Sequence, residues 1–130
     1  MKKILLALMC IFTVSVLSSC GGDPVKRLNK LQEKIEKNSD DYKIDDWVDV
    51  MKEVMDIQYD FYKSNPSQEE MDDYQEAIDD FGKACRKSET SDKMWKAAKR
   101  LDEDEDFREK VKEMEDLQSE VRKKLREEKD

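Results

Sequence analysis

The chain contains few residues that interrupt a helix. Of its 130 residues only three are glycine and two are proline, and Gly21 and Gly22 are adjacent near the N-terminus. Between these breakers the apolar residues recur every three to four positions, which is the spacing of one helix face. The pattern predicts an all-α fold, a small antiparallel helical bundle of four to five helices.

Charged residues make up 45% of the chain, so intrinsic disorder has to be weighed against a packed fold. The regularly spaced apolar positions include large aromatic side chains that a disordered acidic segment would not need. These side chains are Trp47, Phe61, Phe81, Trp95 and Phe107. We therefore expect a helical domain with a thin core.

The first twenty residues have the pattern of an export signal and not of a folded element. Two lysines precede an uncharged run from Ile4 to Leu17, which is shorter than the roughly 20 apolar residues of a membrane-spanning helix. The run ends in Leu17-Ser18-Ser19-Cys20, which resembles the lipobox of bacterial lipoproteins. This resemblance implies cleavage between Ser19 and Cys20, diacylglycerol on the Cys20 sulfur and a further acyl chain, such as palmitate, on its amino group. Several acyl chains together anchor a protein stably to a membrane.

These features predict a signal peptide over residues 1–19, a lipidated tether over residues 20–23 and a helical domain over residues 24–130. Once Lys2 and Lys3 are removed, 23 basic and 33 acidic residues remain, so the mature chain has a net charge of about −10. A negative charge of this size repels phosphate backbones. We therefore do not expect nucleic acid as a partner.

The composition also argues against an enzyme. The chain has no histidine, which is the commonest general base and the commonest metal ligand. Cys10 is lost with the signal and Cys20 carries lipid, so Cys85 forms neither an intramolecular disulfide nor a zinc cluster. Its position on an apolar helix face favours a small buried hydrophobe, with an intermolecular bridge or a reactive thiol as the alternative. We expect no catalytic residues and no cofactor.

Local start and stop signals divide the domain into five helices. Asp23-Pro24 predicts an N-cap followed by proline at the first helical position, and Ser67 with Glu70 predicts a capping box. The short turn at Pro66 predicts that the second and third helices form an antiparallel hairpin. The expected helices run from Pro24 to about Lys37, from about Asp46 to Lys63, from Ser67 to the break at Ser88, around Met94 to Leu101, and from about Glu103 to Glu127.

The second helix is apolar over an arc of roughly 200°, whereas an ordinary surface helix shows little more than about 100°. One side, which we expect to pack against the third helix, consists of Val50, Val54, Ile57 and Phe61. Either the whole arc is covered because this helix is the central element of the bundle, or its second side is an exposed docking surface. The candidate partner surface on that second side consists of Met51, Met55, Tyr59 and Tyr62.

An acidic run between the fourth and fifth helices offers a weak candidate for a calcium site. Asp102, Asp104, Asp106 and Glu113 match positions 1, 3, 5 and 12 of an EF-hand loop. Phe107 occupies position 6, where that loop needs glycine, and it also begins the apolar stripe of the fifth helix. The preferred interpretation is that the carboxylates interact with the positive N-terminus of this helix, so we expect no metal.

The lipobox with Gly21-Gly22, followed by an acidic helical domain rich in lysine and glutamate, resembles small uncharacterised helical lipoproteins of the Bacteroidota type, whose domain has no known function. The resemblance implies that in this family an acidic run directly after the lipidated cysteine directs the lipoprotein to the cell surface. Here only Asp23 is acidic before Pro24. We therefore expect a lipid-anchored domain that faces the periplasm at the bacterial outer membrane, with surface exposure as the alternative.

Three functions are compatible with this interpretation. The leading one is a lipid-anchored interaction module, an accessory or adaptor lipoprotein that holds a protein partner at the outer membrane. The second is a passive structural or envelope-stress spacer, although the spacer lipoproteins that it resembles have an uninterrupted coiled coil and this chain is interrupted at Pro66. The third is an inhibitor or chaperone of secreted proteins.

Overall fold

The computed structural model describes residues 23–129, and within that range it consists of five α-helices with no strand. The predicted signal peptide, the lipobox and Cys20 lie outside the described residues. The prediction of an all-α helical bundle is confirmed. The helices are α1 (Pro24–Asn38), α2 (Ile44–Lys63), α3 (Gln68–Lys87), α4 (Ser91–Asp102) and α5 (Glu105–Lys129), with a short 3₁₀ helix at Ser39–Asp41 between α1 and α2.

The helices begin where side chains satisfy their first backbone N–H groups. The Asp23 carboxylate accepts from the Val25 N–H at 3.0 Å, and Pro24 occupies the first turn as expected. In the predicted capping box, the Ser67 hydroxyl accepts from the Glu70 N–H and the Glu70 carboxylate accepts from the Ser67 N–H, both at 3.2 Å. These reciprocal bonds fix the start of α3 directly after the turn from α2.

The turn between α2 and α3 reverses the chain within four residues. Asn65 has φ 59°, a left-handed conformation that asparagine adopts more readily than most residues. The start of α1 lies beside the end of α2, where the Arg27 guanidinium pairs with Asp60 at 2.8 Å. Helices α1 and α3 therefore run in one direction, and α2 runs in the other.

The last helix runs parallel to α2 and not antiparallel to it. Along α5, Lys110 pairs with Asp56 and Gln118 donates to the Tyr62 hydroxyl at 3.1 Å, so residue numbers increase together on the two helices. The short helix α4 makes this possible because it crosses the N-terminal end of α2. Its Arg100 pairs with Asp45 there.

Helix α3 packs most closely against α1, while α2 packs against α1, α4 and α5. We expected one apolar side of α2, from Val50 to Phe61, to pack along α3. This prediction is wrong for much of α3, because α1 covers much of the apolar face of α3. Contact between α2 and α3 includes an aromatic stack in which the Phe61 and Tyr74 rings are 4.2 Å apart. Because α2 packs against three other helices, the structure agrees with the interpretation of α2 as the central element.

The core lies along α2. Trp47 and Ile57 of α2 and Leu28 and Ile35 of α1 have no exposed surface. Helix α4 adds Ala97, which is fully buried, and α5 adds Met114 and Val121 to the same core. A single apolar core thus connects all five helices within the described residues.

Candidate functional site

An open groove lies where α2, α3, α4 and the beginning of α5 meet, and we call it the apolar groove. Its volume is about 450 Å³. All of its lining residues except Arg86 are apolar or glycine, which is unusual in a chain with 45% charged residues. The lining residues are Trp47, Val50, Met51, Val54, Met55, Phe81, Gly82, Cys85, Arg86, Met94, Trp95, Ala98, Leu101 and Phe107.

The floor of the apolar groove is one face of α2. Met51, Val54 and Met55 lie there because helical residues three and four apart share a face, and all three are only partly buried. Methionine side chains are flexible and polarizable, so they adapt to differently shaped apolar partners. The floor can therefore accept an apolar surface without a fixed shape of its own.

One wall is formed by α4, which carries the most exposed apolar side chain of the described residues. Trp95 is 73% exposed, whereas Ala97 and Leu101 of the same helix are buried. Two residues correspond to about 200° around a helix, so anchoring Ala97 in the core turns Trp95 outward. The indole stands at the edge of the groove, where a bound partner would cover it.

The opposite wall is formed by α3. Phe81 and Cys85 are buried, and Gly82 between them has no side chain to extend into the groove. Burial raises the pKa of the Cys85 thiol to about 11, although the nearby Arg86 charge partly opposes the shift. The thiol is therefore protonated at neutral pH, which fits a small buried hydrophobe better than a reactive thiol.

A buried cluster of hydroxyl groups, which we call the hydroxyl cluster, fixes α4 against the rest of the bundle. The Trp47 indole N–H donates to the Thr90 hydroxyl at 2.9 Å, and the Thr90 hydroxyl donates to the Ser39 carbonyl. The Ser88 hydroxyl lies 3.0 Å from that of Thr90 and 3.3 Å from the same carbonyl. The periodicity of apolar residues gives no indication of this cluster, because its bonds to Trp47 and Ser39 join residues 43 to 51 positions apart.

The candidate partner surface predicted on α2 is divided between two environments. Met51 and Met55 line the apolar groove. Tyr62 is not exposed, because it is buried in the core and its hydroxyl accepts from Gln118 of α5. Tyr59 is partly buried, with the Lys110 ammonium of α5 5.6 Å from its ring centre. Helix α5 therefore covers the tyrosines and leaves the methionines accessible.

The acidic residues proposed as a weak calcium candidate do not form an EF-hand loop. Asp102 ends α4, and the Asp104 carboxylate accepts from the Phe107 N–H at 3.2 Å at the start of α5. Asp106 and Glu113 both lie on α5, where seven residues separate them by roughly 10 Å along the axis. Within residues 23–129 no three His, Cys, Asp or Glu side chains are grouped in a way that would hold a metal ion.

A larger cleft of about 740 Å³ lies near the start of α1, but its chemistry differs from that of the apolar groove. Its lining includes Glu70, Asp73, Glu76 and Asp80 of α3, and these carboxylates are exposed to solvent. These four side chains give the cleft a largely acidic and solvated lining. The apolar groove is thus the better candidate for a functional surface.

Comparison with known proteins gives no significant match to a family profile, a curated protein or a solved structure. Among the described residues, none of the helices combines the length and the apolar character that crossing a bilayer requires. Function therefore has to be inferred from the groove and from the lipobox resemblance.

Proposed function

We propose that this chain is a lipid-anchored interaction module, an accessory or adaptor lipoprotein whose domain faces the periplasm at the bacterial outer membrane. Acylated Cys20 is the anchor, and the apolar groove receives an amphipathic helix of a partner protein. We assign the chain no reaction and no cofactor. The observation that carries the proposal is the exposed indole of Trp95 beside a groove with a single charged lining residue.

Exposed apolar surface of this kind supports a binding function. A soluble acidic domain gains nothing for its own stability from an indole that is 73% exposed. Tryptophan and methionine are enriched in the centres of protein interfaces, where they supply most of the apolar contact. Apolar grooves of helical proteins commonly bind the apolar face of a partner helix.

A passive spacer has no use for the groove, since a spacer needs only length and an anchor. An inhibitor or chaperone of secreted proteins would use the same surface, and the three methionines of the groove, Met51, Met55 and Met94, favour adaptable contact. The two binding functions differ in the number of partners. An adaptor binds one protein, whereas a chaperone binds several unrelated ones.

Photocrosslinking in living cells tests the proposal. Benzoylphenylalanine in place of Trp95 should give a discrete adduct with one envelope protein, identified by mass spectrometry, because the photoreactive ring lies at the groove edge. The matched control is the same replacement at Lys30, which is exposed on α1, a helix that contributes nothing to the groove. Adding Ala98→Glu, which places a charge on the groove wall, should remove the Trp95 adduct.

The interaction part of the proposal fails if the two positions give the same adducts, or if Ala98→Glu leaves the Trp95 adduct unchanged. Adducts with several unrelated secreted proteins would contradict the adaptor function and support the chaperone function instead. The anchor is tested separately by Cys20→Ala, which should abolish lipid labelling and leave an unprocessed precursor. A Cys20→Ala protein of mature size in the outer membrane would overturn the anchoring.

A further inference from the structure

Arg86 is the one charged residue that lines the apolar groove. Its side chain folds back along α3, so that a Cβ atom at position 82 would lie 3.3 Å from its Nη1 atom. None of the ion pairs of the described residues includes it, although acidic residues outnumber basic ones in the chain. A guanidinium with two parallel N–H donors and no carboxylate partner is well suited to bind one from another molecule.

Gly82 is the second unexplained feature of this wall. A glycine inside a helix is destabilising relative to alanine, because it loses more backbone freedom on folding. Packing within the chain does not require it, since the only atoms near an added Cβ belong to the flexible Arg86 side chain. Glycine at this position keeps the groove wall low, so that the backbone of a second helix can approach closely.

The α3–α4 side of the groove differs in charge from the whole chain, whereas on the α5 side the acidic run at residues 102–106 precedes Phe107. Residues 83–100, which form the end of α3 and most of α4, contain seven lysines and arginines but only two acidic residues. The mature chain, in contrast, has a net charge of about −10. An acidic partner is therefore repelled by most of the domain surface and attracted to the α3–α4 side of the groove, where Arg86 lies.

We infer that the occupant of the apolar groove is an acidic amphipathic helix of a partner protein, with its apolar side chains on Met51, Met55 and Trp95 and one of its carboxylates paired with Arg86. This inference rests on the proposed function and specifies the partner of the same site. Close approach over Gly82 brings the backbone of the partner helix near the Arg86 guanidinium. The pair between Arg86 and the partner carboxylate then fixes the register of the partner's apolar side chains in the groove.

A charge-swap selection tests the inference. The acylated protein in lipid nanodiscs is used to select from a displayed library of helical peptides, after peptides that bind empty nanodiscs have been removed. The wild-type protein should enrich peptides with apolar residues at helical spacing and a glutamate or aspartate at one fixed position. Arg86→Glu should enrich lysine or arginine at that position. A peptide selected on the wild type should bind Arg86→Glu about tenfold more weakly or worse.

Lys30→Glu is the matched control, because it reverses a positive charge on exposed α1 surface, outside the groove lining and outside residues 83–100. It should change the affinity of the selected peptide less than threefold. Gly82→Ala should also weaken binding while its melting temperature is equal to or higher than that of the wild type, which separates loss of binding from loss of folding.

Selection without an acidic preference, or equal effects of Arg86→Glu and Lys30→Glu, overturns the inference. If the Trp95 photocrosslink persists in cells under that outcome, the proposed function stands and only the acidic helix is wrong. Quenching of Trp95 fluorescence by brominated lipids in the nanodisc would place the groove against the bilayer and overturn the inference as well. If the crosslinked partner is a second copy of this same chain, the inference of an acidic partner helix is wrong and the groove mediates self-association.

Discussion

The apolar residues of α2 have different surroundings near the C-terminus and in the middle of the helix. Near its C-terminus Phe61 is buried and stacks on Tyr74 of α3, and the Tyr62 ring packs edge-on against Phe61 at 5.1 Å. In its middle Met51 and Met55 form the floor of an open groove. The same helix thus contributes to a closed aromatic cluster and to an accessible surface.

The difference follows from the side chains that α3 presents to α2. At the closed end α3 carries the large ring of Tyr74, which reaches across to Phe61 and Tyr62. Two helical turns further on, the buried Phe81 is followed by Gly82 and then by Cys85, whose small volumes leave space beside α2. This shortage of side-chain volume on α3 contributes to the groove, which α4 and the start of α5 complete.

The largest expected effect comes from truncating the closed cluster. Phe61→Ala should reduce the free energy of unfolding by about 3–5 kcal/mol, the usual loss for a buried phenylalanine. The matched control is Phe107→Ala at the groove, where the ring is only partly buried, and it should cost less than about 1 kcal/mol. Urea denaturation followed by circular dichroism measures both. Equal losses would show that the groove is as closed as the cluster.

A smaller effect is expected at the hydroxyl cluster. Thr90→Val removes the acceptor of the buried Trp47 indole N–H and should cost about 1–3 kcal/mol, the penalty for an unsatisfied buried donor. Thr90→Ser keeps the hydroxyl and serves as the control, with a change below about 1 kcal/mol. Because the cluster holds α4, Thr90→Val should also weaken the Trp95 photocrosslink. A valine variant as stable as the wild type would show that this cluster does not position the groove wall.

The smallest effect concerns pH. The Cys85 thiol ionises near pH 9.0 in the unfolded chain but only at about pH 11 in the folded one, so the unfolded state releases its proton first. Stability must therefore fall as the pH rises from about 9 to 11. Burial also raises the pKa of Tyr74, which acts in the same direction at higher pH.

The contribution of Cys85 is isolated by comparing the wild type with Cys85→Ala, which has no thiol to ionise. Between pH 8 and pH 10.5 the wild type should lose more of its unfolding free energy than Cys85→Ala does, as measured by urea denaturation. Identical losses would mean that the thiol is solvated, and that the α3 wall of the groove is more open than the structure shows.

Much of this fold follows from local sequence signals. The Asp23-Pro24 start and the capping box of Ser67 with Glu70 act within a few residues, so the sequence alone predicts them. The spacing of Val25, Leu28, Leu31 and Ile35 predicts an apolar stripe on α1, of which the last three residues are buried and Val25 is partly buried. Helix spacing, however, identifies only the apolar face of a helix and not the helix that covers it.

The features of the groove depend on which helix covers each apolar face, and helix spacing does not identify that helix. The packing of α3 against α1 and the cover of Tyr62 by α5 depend on contacts between helices that are distant in the sequence. The bond between Trp47 and Thr90, which holds α4 against α2, likewise joins residues with no recognisable spacing in the sequence. The apolar spacing of α2 therefore predicts the methionines of the groove but places both tyrosines on the same surface.

The bond from Thr90 to Ser39 also has a consequence for the order of folding. It joins residues 51 apart, and closing a flexible loop of that length costs on the order of 3–4 kcal/mol in chain entropy, more than one hydrogen bond returns. The docking of α1 on α3 brings Ser39 and Ser88 together, and these contacts offset that cost. We therefore expect α4 to dock after α1 and α3 have come together, and the groove, which α4 completes, to acquire its shape late in folding.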